Sequence, residues 1–530
     1  MKNPIVEVKQ GKLLGVLEKN CNGNNFYAFR GIPYAESPVG DLKFKDPVPK
    51  KSWSGVKNVT KYGNKCAQIN WFSRKITGEC DCLFLNVYTM ELNPANLKAV
   101  MVLIHGGNFA FGSGNDDING PDHLVEKDII LVTINYRLGI LGFLNLDDEE
   151  APGNQGLKDQ VMALEWIQQN ISRFGGDPNN VTIFGYSAGS AAVHYLTLSP
   201  RAQGLFHKAI LQSGVATNPW ASVSVDSMKK TVQEIVLMLG TKITNPKELI
   251  KYLRETDVNL LLEAESKLTT WKDRFSIINK FGPSVDIKSK NPFLDISIEE
   301  AVKTGINVPC IIGITNDESI IVIRDLDESQ LLEIDNHRDS LFNPQVLDHL
   351  KKLNISTDDL IKFYMGDKKI NFENRQSFVN LISMTNFLMN IYEVIDIQRQ
   401  EKTINTSMYF YKFDYYSKST SQMQKILSTD LIGTCHCEEV GYFFNMKCYK
   451  KIGIEPPIRG TTEYFIQKNF IELWTTFAKT GNPNPKSSDL ITIEWKPIDD
   501  STEYNCLKIS NDIKLIKQEN ELQRVQKNVK

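Results

Sequence analysis

The segment Gly185-Tyr186-Ser187-Ala188-Gly189 restricts the fold of this chain more than any other. It follows a short apolar run, Val181-Thr182-Ile183-Phe184, and precedes small residues, Ala188 to Ala192, that can open a helix. A strand that turns into a helix within one residue forces unusual backbone angles on Ser187. Gly185 and Gly189 remove side chains that would collide across the turn. The serine oxygen then projects from the carboxyl end of a sheet, with a helix N-terminus beneath it.

The surroundings repeat the strand–helix alternation. Ala99 to Ile104 and Asp128 to Asn135 are apolar runs without period-two polarity, the pattern of central parallel strands covered on both faces. Gly156 to Asn170 reads as a helix whose apolar face carries Leu157, Val161, Leu164, Trp166 and Ile167. Gly175-Gly176-Asp177-Pro178 reads as a turn. Residues 222–280 and 326–400 read as helical, Val308 to Ile314 and Met408 to Tyr415 as strands. Thr462 to Lys479 reads as a helix stopped by Gly481. The expected class is α/β, with a mostly parallel sheet flanked by helices and helical insertions. At roughly 150 residues per domain, 530 residues would suggest three or four domains. The βα pattern resumes after each insertion, however, so residues 1–530 are expected to form one domain.

Lys plus Arg number 61 and Asp plus Glu 63, a balance that argues against a general nucleic-acid binder. No stretch approaches 18 apolar residues, so no membrane span is expected. Without a secretory signal after Met1, a cytoplasmic location is expected, or a secreted one if a signal has been removed. The N-x-[ST] triplets at Asn58, Asn170, Asn180, Asn354 and Asn405 are then expected to be unused. Nine cysteines are too few for a disulfide scaffold, and the odd number leaves at least one thiol free or paired with another chain. Nothing in the sequence fixes an oligomeric state.

A serine at such a turn attacks a carbonyl only with three kinds of help. It needs N–H donors for the oxyanion, a base for its proton, and an acid to orient the base. His105-Gly106-Gly107-Asn108-Phe109 follows a strand and can aim backbone N–H groups at a substrate oxygen; Ala188 adds another at the helix start. In this architecture the order along the chain is serine, acid, histidine. Of seven histidines, His337, His349 and His436 lie in the second half. The first two fall in charged helical sequence and read as surface residues. His436 lies in a loop after a late strand and is the expected base. The acid should end a strand between Ser187 and His436. Asp317 and Glu318, after the strand at 308–314, are equally placed, and Asp286 is a third option. Cys435-His436-Cys437 lacks the spacing of a zinc knuckle, so neither metal nor cofactor is expected.

These residues resemble the type B carboxylesterases, the α/β-hydrolase group that includes the cholinesterases. Phe174-Gly175-Gly176 followed by Val181 to Gly189 fits that family's serine signature in all but one position. Phe29-Arg30-Gly31-Ile32-Pro33-Tyr34-Ala35, Gly153-Asn154-Gln155-Gly156-Leu157-Lys158-Asp159-Gln160 and Trp474 to Pro483 are similar to further motifs, so the likeness spans nearly the whole chain. Wording around Gly204 to His207 and Asn218 to Ala221 is most similar to insect alpha-esterases.

The resemblance implies a serine ester hydrolase that forms an acyl-enzyme on small or medium uncharged esters, with a detoxifying role. It implies Ser187, Glu318 and His436 as the triad, which breaks the tie over the acid. It implies Gly107, Asn108 and Ala188 as oxyanion donors. It also implies a Cys66–Cys82 disulfide, whose loop of about 15 residues would contribute roughly 3 kcal/mol if oxidised. Asn108 stands where glycine is frequent, and Tyr186 where a Glu usually supports the acid. With Cys80 in place of another usual Glu, Arg30 is expected either to lack a partner or to use Glu79. A non-catalytic or sequestering member of the fold, or a lipid or hormone esterase, are the alternative readings. Trp71, inside the Cys66–Cys82 loop, reads as a packing residue ahead of a ligand contact.

Overall fold

A computed structural model describes residues 3–71, 73–400, 406–417, 421–450 and 453–529. The sequon at Asn405 lies outside them.

The frame is an eleven-stranded sheet. Its strands are β1 (Val16–Lys19), β2 (Asn25–Pro33), β3 (Phe84–Thr89), β4 (Lys98–Ile104), β5 (Ile130–Ile134), β6 (Gly176–Tyr186), β7 (Lys208–Gln212), β8 (Cys310–Thr315), β9 (Met408–Phe413), β10 (Glu503–Ile509) and β11 (Ile513–Glu519). Their spatial order is β1-β2-β3-β5-β4-β6-β7-β8-β9-β10-β11. From β5 to β10 every pairing is parallel. The outer strands β1–β3 and β11 run antiparallel. The swap of β4 and β5 is a crossover beside β6, the strand that carries the serine turn.

The apolar runs form central strands because both of their faces are buried. On β4, Val100, Val102 and Ile104 enter one core, while Ala99, Met101 and Leu103 enter the other. Helix α1 (Gln155–Asn170) covers the first face with Leu157, Val161, Leu164 and Ile167. Helix α2 (Ala188–Leu198) packs beside it. Helix α6 (Thr462–Thr480) covers the second face with Ile466, Phe470, Trp474 and Phe477. It ends as its sequence predicts, with Gly481 at φ 78° donating to the Phe477 carbonyl at 2.7 Å. Three further helices matter below: α3 (Val258–Leu268), α4 (Arg375–Ser383) and α5 (Met389–Gln400).

The expected turn at 175–178 is shorter in the structure. Gly175 alone turns the chain, at φ 85°, and β6 begins at Gly176. Its register against β4 shifts between Gly176 and Val181. Pro178 sits inside that irregularity, where its missing N–H costs no ladder hydrogen bond.

The loop after β5 is locked to α1 by a buried ion pair. Asp159 accepts from Arg137 Nε at 2.8 Å, Nη2 at 2.6 Å and the backbone N–H at 3.0 Å. Both side chains are buried, and removing one partner of such a pair typically costs about 3–5 kcal/mol. Arg30 is neither orphaned nor paired with Glu79. It binds Glu18 across the β1–β2 hairpin, Nη1 to Oε1 at 2.7 Å, with its guanidinium over Tyr62. That partner lies on the neighbouring antiparallel strand, a register that single-segment motifs do not reveal. Cys66 and Cys82 are joined by a disulfide, with Cα atoms 4.8 Å apart.

One continuous helical run, Phe372–Gln400, has the length and mean hydropathy of a membrane-crossing helix, but 89% of its apolar window is buried inside the protein. It contains α4 and α5, joined by one π-helical turn, Met384–Leu388.

Candidate active site

Ser187 occupies the turn between β6 and α2 with φ 57° and ψ −129°, a conformation that side chains rarely adopt. The strain is held from both sides. The Ser187 N–H donates to Gln212 O at 2.8 Å, and its carbonyl accepts from Ala191 N at 3.0 Å. A Cβ at position 189 would lie 2.1 Å from the Ile104 carbonyl, so glycine is required there. Ser187 is half-buried, opening onto a cavity of about 310 Å³ that Gly107, Asn108 and His436 also line.

The loop after β4 takes three successive positive φ angles, 117° at Gly107, 52° at Asn108 and 54° at Phe109. At Gly107 a Cβ would fall 1.9 Å from the Phe111 carbonyl. The Gly107 carbonyl accepts from Ala110 and Phe111 N–H groups, both at 2.9 Å, which fixes that peptide. Asn108 tolerates the left-handed region better than most residues. Its side chain does enter the cavity wall, where Oδ1 accepts from Asn279 Nδ2 at 3.0 Å. His105 is buried and stacked on Tyr136, with Nδ1 against the Gly106 carbonyl at 2.8 Å; burial pushes its pKa down to about 4, so it is neutral. Ala188 opens α2 as its first residue.

The two adjacent acids after β8 diverge. Glu318 is fully buried and its Oε2 lies 2.5 Å from His436 Nδ1, while Oε1 accepts from the Thr315 N–H at 2.8 Å. Asp317 instead accepts from the Thr434 N–H at 2.9 Å and from Asn316 Nδ2 at 3.0 Å. It thus ties the loop carrying His436 to the end of β8. Gly433 passes so close that a Cβ there would meet the Asp317 carboxylate. Asp286 is elsewhere in the protein, bound to Lys158, Asn154 and the N–H groups of Phe293 and Leu294. His337 is exposed and His349 half-buried beside Glu393.

Several participants had no sequence signal. The π-helical turn brings the Phe387 ring to 4.7 Å from the His436 ring. Carbonyls in that turn, released from regular helical bonding, accept from Asn218 Nδ2 and Trp220 Nε1. Trp71 stacks on Phe111 and lines the cavity. It therefore packs and faces ligand space at once. Tyr186 turns to Asn119 Oδ1 at 3.3 Å rather than toward the acid. A buried carboxyl on the acid side comes from Glu439, which accepts from Tyr411 at 3.3 Å and Gln212 at 3.4 Å. Burial and the nearby Glu318 charge push its pKa up to about 7. Cys435 is buried, and Cys437 lines the cavity.

The carboxylesterase family profile matches residues 2–528. A juvenile hormone esterase of Tribolium castaneum is 34% identical over 91% of this chain and 84% of its own length. Esterase FE4 of Myzus persicae is 35% identical over 93% of this chain and 87% of its own. The crystal structure of juvenile hormone esterase from Manduca sexta, solved with OTFP covalently attached, superimposes with a TM-score of 0.82 at 26% identity. That match covers 99% of this chain and 98% of the other. The match along nearly the full chain, on an α/β-hydrolase frame, establishes that this protein belongs to the carboxylesterase family of carboxylic-ester hydrolases.

Proposed function

We propose that Ser187, His436 and Glu318 are the catalytic triad of this hydrolase and that it acts on small to medium uncharged esters. The observation that carries the assignment is the buried 2.5 Å contact between His436 Nδ1 and Glu318 Oε2, in a histidine that lines the same cavity as Ser187. With Nδ1–H donated to Glu318, Nε2 is the free acceptor. Ser187 Oγ attacks the ester carbonyl while its proton passes to His436 Nε2. The carbonyl electron pair moves onto oxygen, and the oxyanion is received by the N–H groups of Gly107, Asn108 and Ala188. Each such donor is worth on the order of 3 kcal/mol in barrier height. Collapse breaks the bond to the alkoxy oxygen, which takes the proton from His436 and leaves as the alcohol. Water, deprotonated by His436, then attacks the acyl-enzyme; the acyl–Oγ bond breaks, the acid is released, and Ser187 Oγ takes the proton back from His436. The covalent OTFP adduct of the Manduca sexta relative supports covalent chemistry in this fold.

The chain acts as one domain in this reading, which is supported by strands from Val16 to Glu519 sharing a single sheet. The Cys66–Cys82 disulfide supports an oxidising compartment over the cytosol. The largely apolar lining, with Leu262, Ile277, Ile321 and Phe387 among it, supports uncharged substrates and, as a second reading, longer hormone-like esters. A series of nitrophenyl esters of increasing acyl length separates these. An optimum in kcat/KM at short to medium chains is expected. An optimum at the longest chains would overturn the small-ester assignment.

A further inference from the structure

One wall of the cavity is built by α3 and the residues after it, through Leu262, Glu265, Ser266 and Thr269. Two carboxylates line the cavity among the described residues, Glu265 and Asp273. Asp273 is satisfied by Lys280 at 3.1 Å and by Thr270 at 2.8 Å. The cavity's arginines are also engaged, Arg74 over the Trp71 ring and Arg274 on the Thr269 carbonyl. Glu265 has no ion pair among the described residues. Its carboxylate receives a single long hydrogen bond, from the Ile140 N–H at 3.5 Å.

The neighbouring backbone leaves room for this group. Gly139 has φ 50°, and a Cβ there would approach both Glu265 oxygens to 3.2–3.3 Å. Desolvation raises the carboxyl to about 7. A carboxyl taken partly out of water without partners is costly, and the cost is recovered when a ligand supplies the missing hydrogen bond. Leu262, Ile277, Ile321 and Val322 offer apolar surface to a substrate chain, and the other charged groups of the lining are already engaged within the protein, so Glu265 is the carboxylate left to receive a polar group on that chain.

We propose that Glu265 is a specificity-determining residue that accepts a hydrogen bond from a neutral donor on the substrate, a hydroxyl or an amide N–H. It would thereby favour esters bearing such a donor over their purely apolar equals. The proposal deepens the esterase reading of the same cavity and rests on it.

The test compares matched butyrate esters whose alcohol chain ends in methyl or in hydroxyl. Esters with the same exchange at the acyl terminus form a second set, and chain length is varied in both. The hydroxyl-to-methyl ratio of kcat/KM is measured for wild type, Glu265→Met and Glu265→Gln. At the chain length that reaches Glu265, the ratio is expected to fall about tenfold in Glu265→Met. In Glu265→Gln, which keeps an acceptor oxygen but loses the carboxylate charge, it should fall by about threefold. A general loss of packing would lower both esters together and leave the ratio unmoved. If Glu265→Met does not fold, the Gln variant decides by whether its ratio falls. Ratios equal to wild type in the folded variants, at every chain length, overturn the proposal alone. A wild type that hydrolyses neither set overturns the esterase reading and the proposal with it.

Discussion

Ser187→Ala should lower kcat for nitrophenyl butyrate by about 10⁵–10⁶-fold. In the proposed mechanism the serine supplies the bond that splits one difficult hydrolysis into two easier steps. Alanine fits the same space, and the backbone strain at φ 57° is enforced by Gln212, Ala191 and Gly189 rather than by the hydroxyl. The variant should therefore fold and still bind ester. A small residual rate over water is expected from the oxyanion donors. Steady-state hydrolysis with the pure variant reads this directly, and wild-type turnover would refute the role given to Ser187.

Glu318→Gln should cost about 10⁴-fold in kcat with little change in fold. The glutamine keeps shape and hydrogen-bonding capacity. It also lets the amide donate to His436 Nδ1, which moves the ring proton to Nε2, the position that must be free to receive the serine proton. It removes as well the negative charge that stabilises the imidazolium. Asp317→Asn is the natural control, because the two acids are adjacent and both buried. Asparagine at 317 still accepts from the Thr434 N–H, so the loop stays docked and kcat should fall by less than about tenfold. Equal losses in both variants, or a larger loss at Asp317, would reverse the assignment of the acid.

These two acids show where sequence reading ran out. Chain order left three late histidines, and the charged helical sequence around His337 and His349 singled out His436. Neither could separate Asp317 from Glu318, since neighbouring residues after a strand point apart by an amount the sequence does not encode. Resemblance to the family favoured Glu318, whose Oε2 lies 2.5 Å from His436 Nδ1 in the structure. The central parallel strands and the helices at 155–170 and 462–480 were legible because burial on two faces, or on one, leaves a periodic record. The antiparallel edge strands β1 and β11 left a weaker one, being short or largely half exposed. Phe387 and Glu265 were invisible for another reason. Their importance comes from a π-helical turn and from a cavity wall assembled by segments distant in sequence, and no local pattern marks either. Arg30 shows the same limit, since its partner Glu18 is fixed by strand register and not by the motif that contains the arginine.

The most direct test of the central claim is to trap the covalent intermediate. Wild-type protein treated with a fluorophosphonate ester should lose activity in proportion to one adduct per chain. Peptide mass spectrometry should locate the phosphonyl group on Ser187, and Ser187→Ala should take up none. Stoichiometric inactivation with the adduct on any other residue, and Ser187 unmodified, would contradict the account.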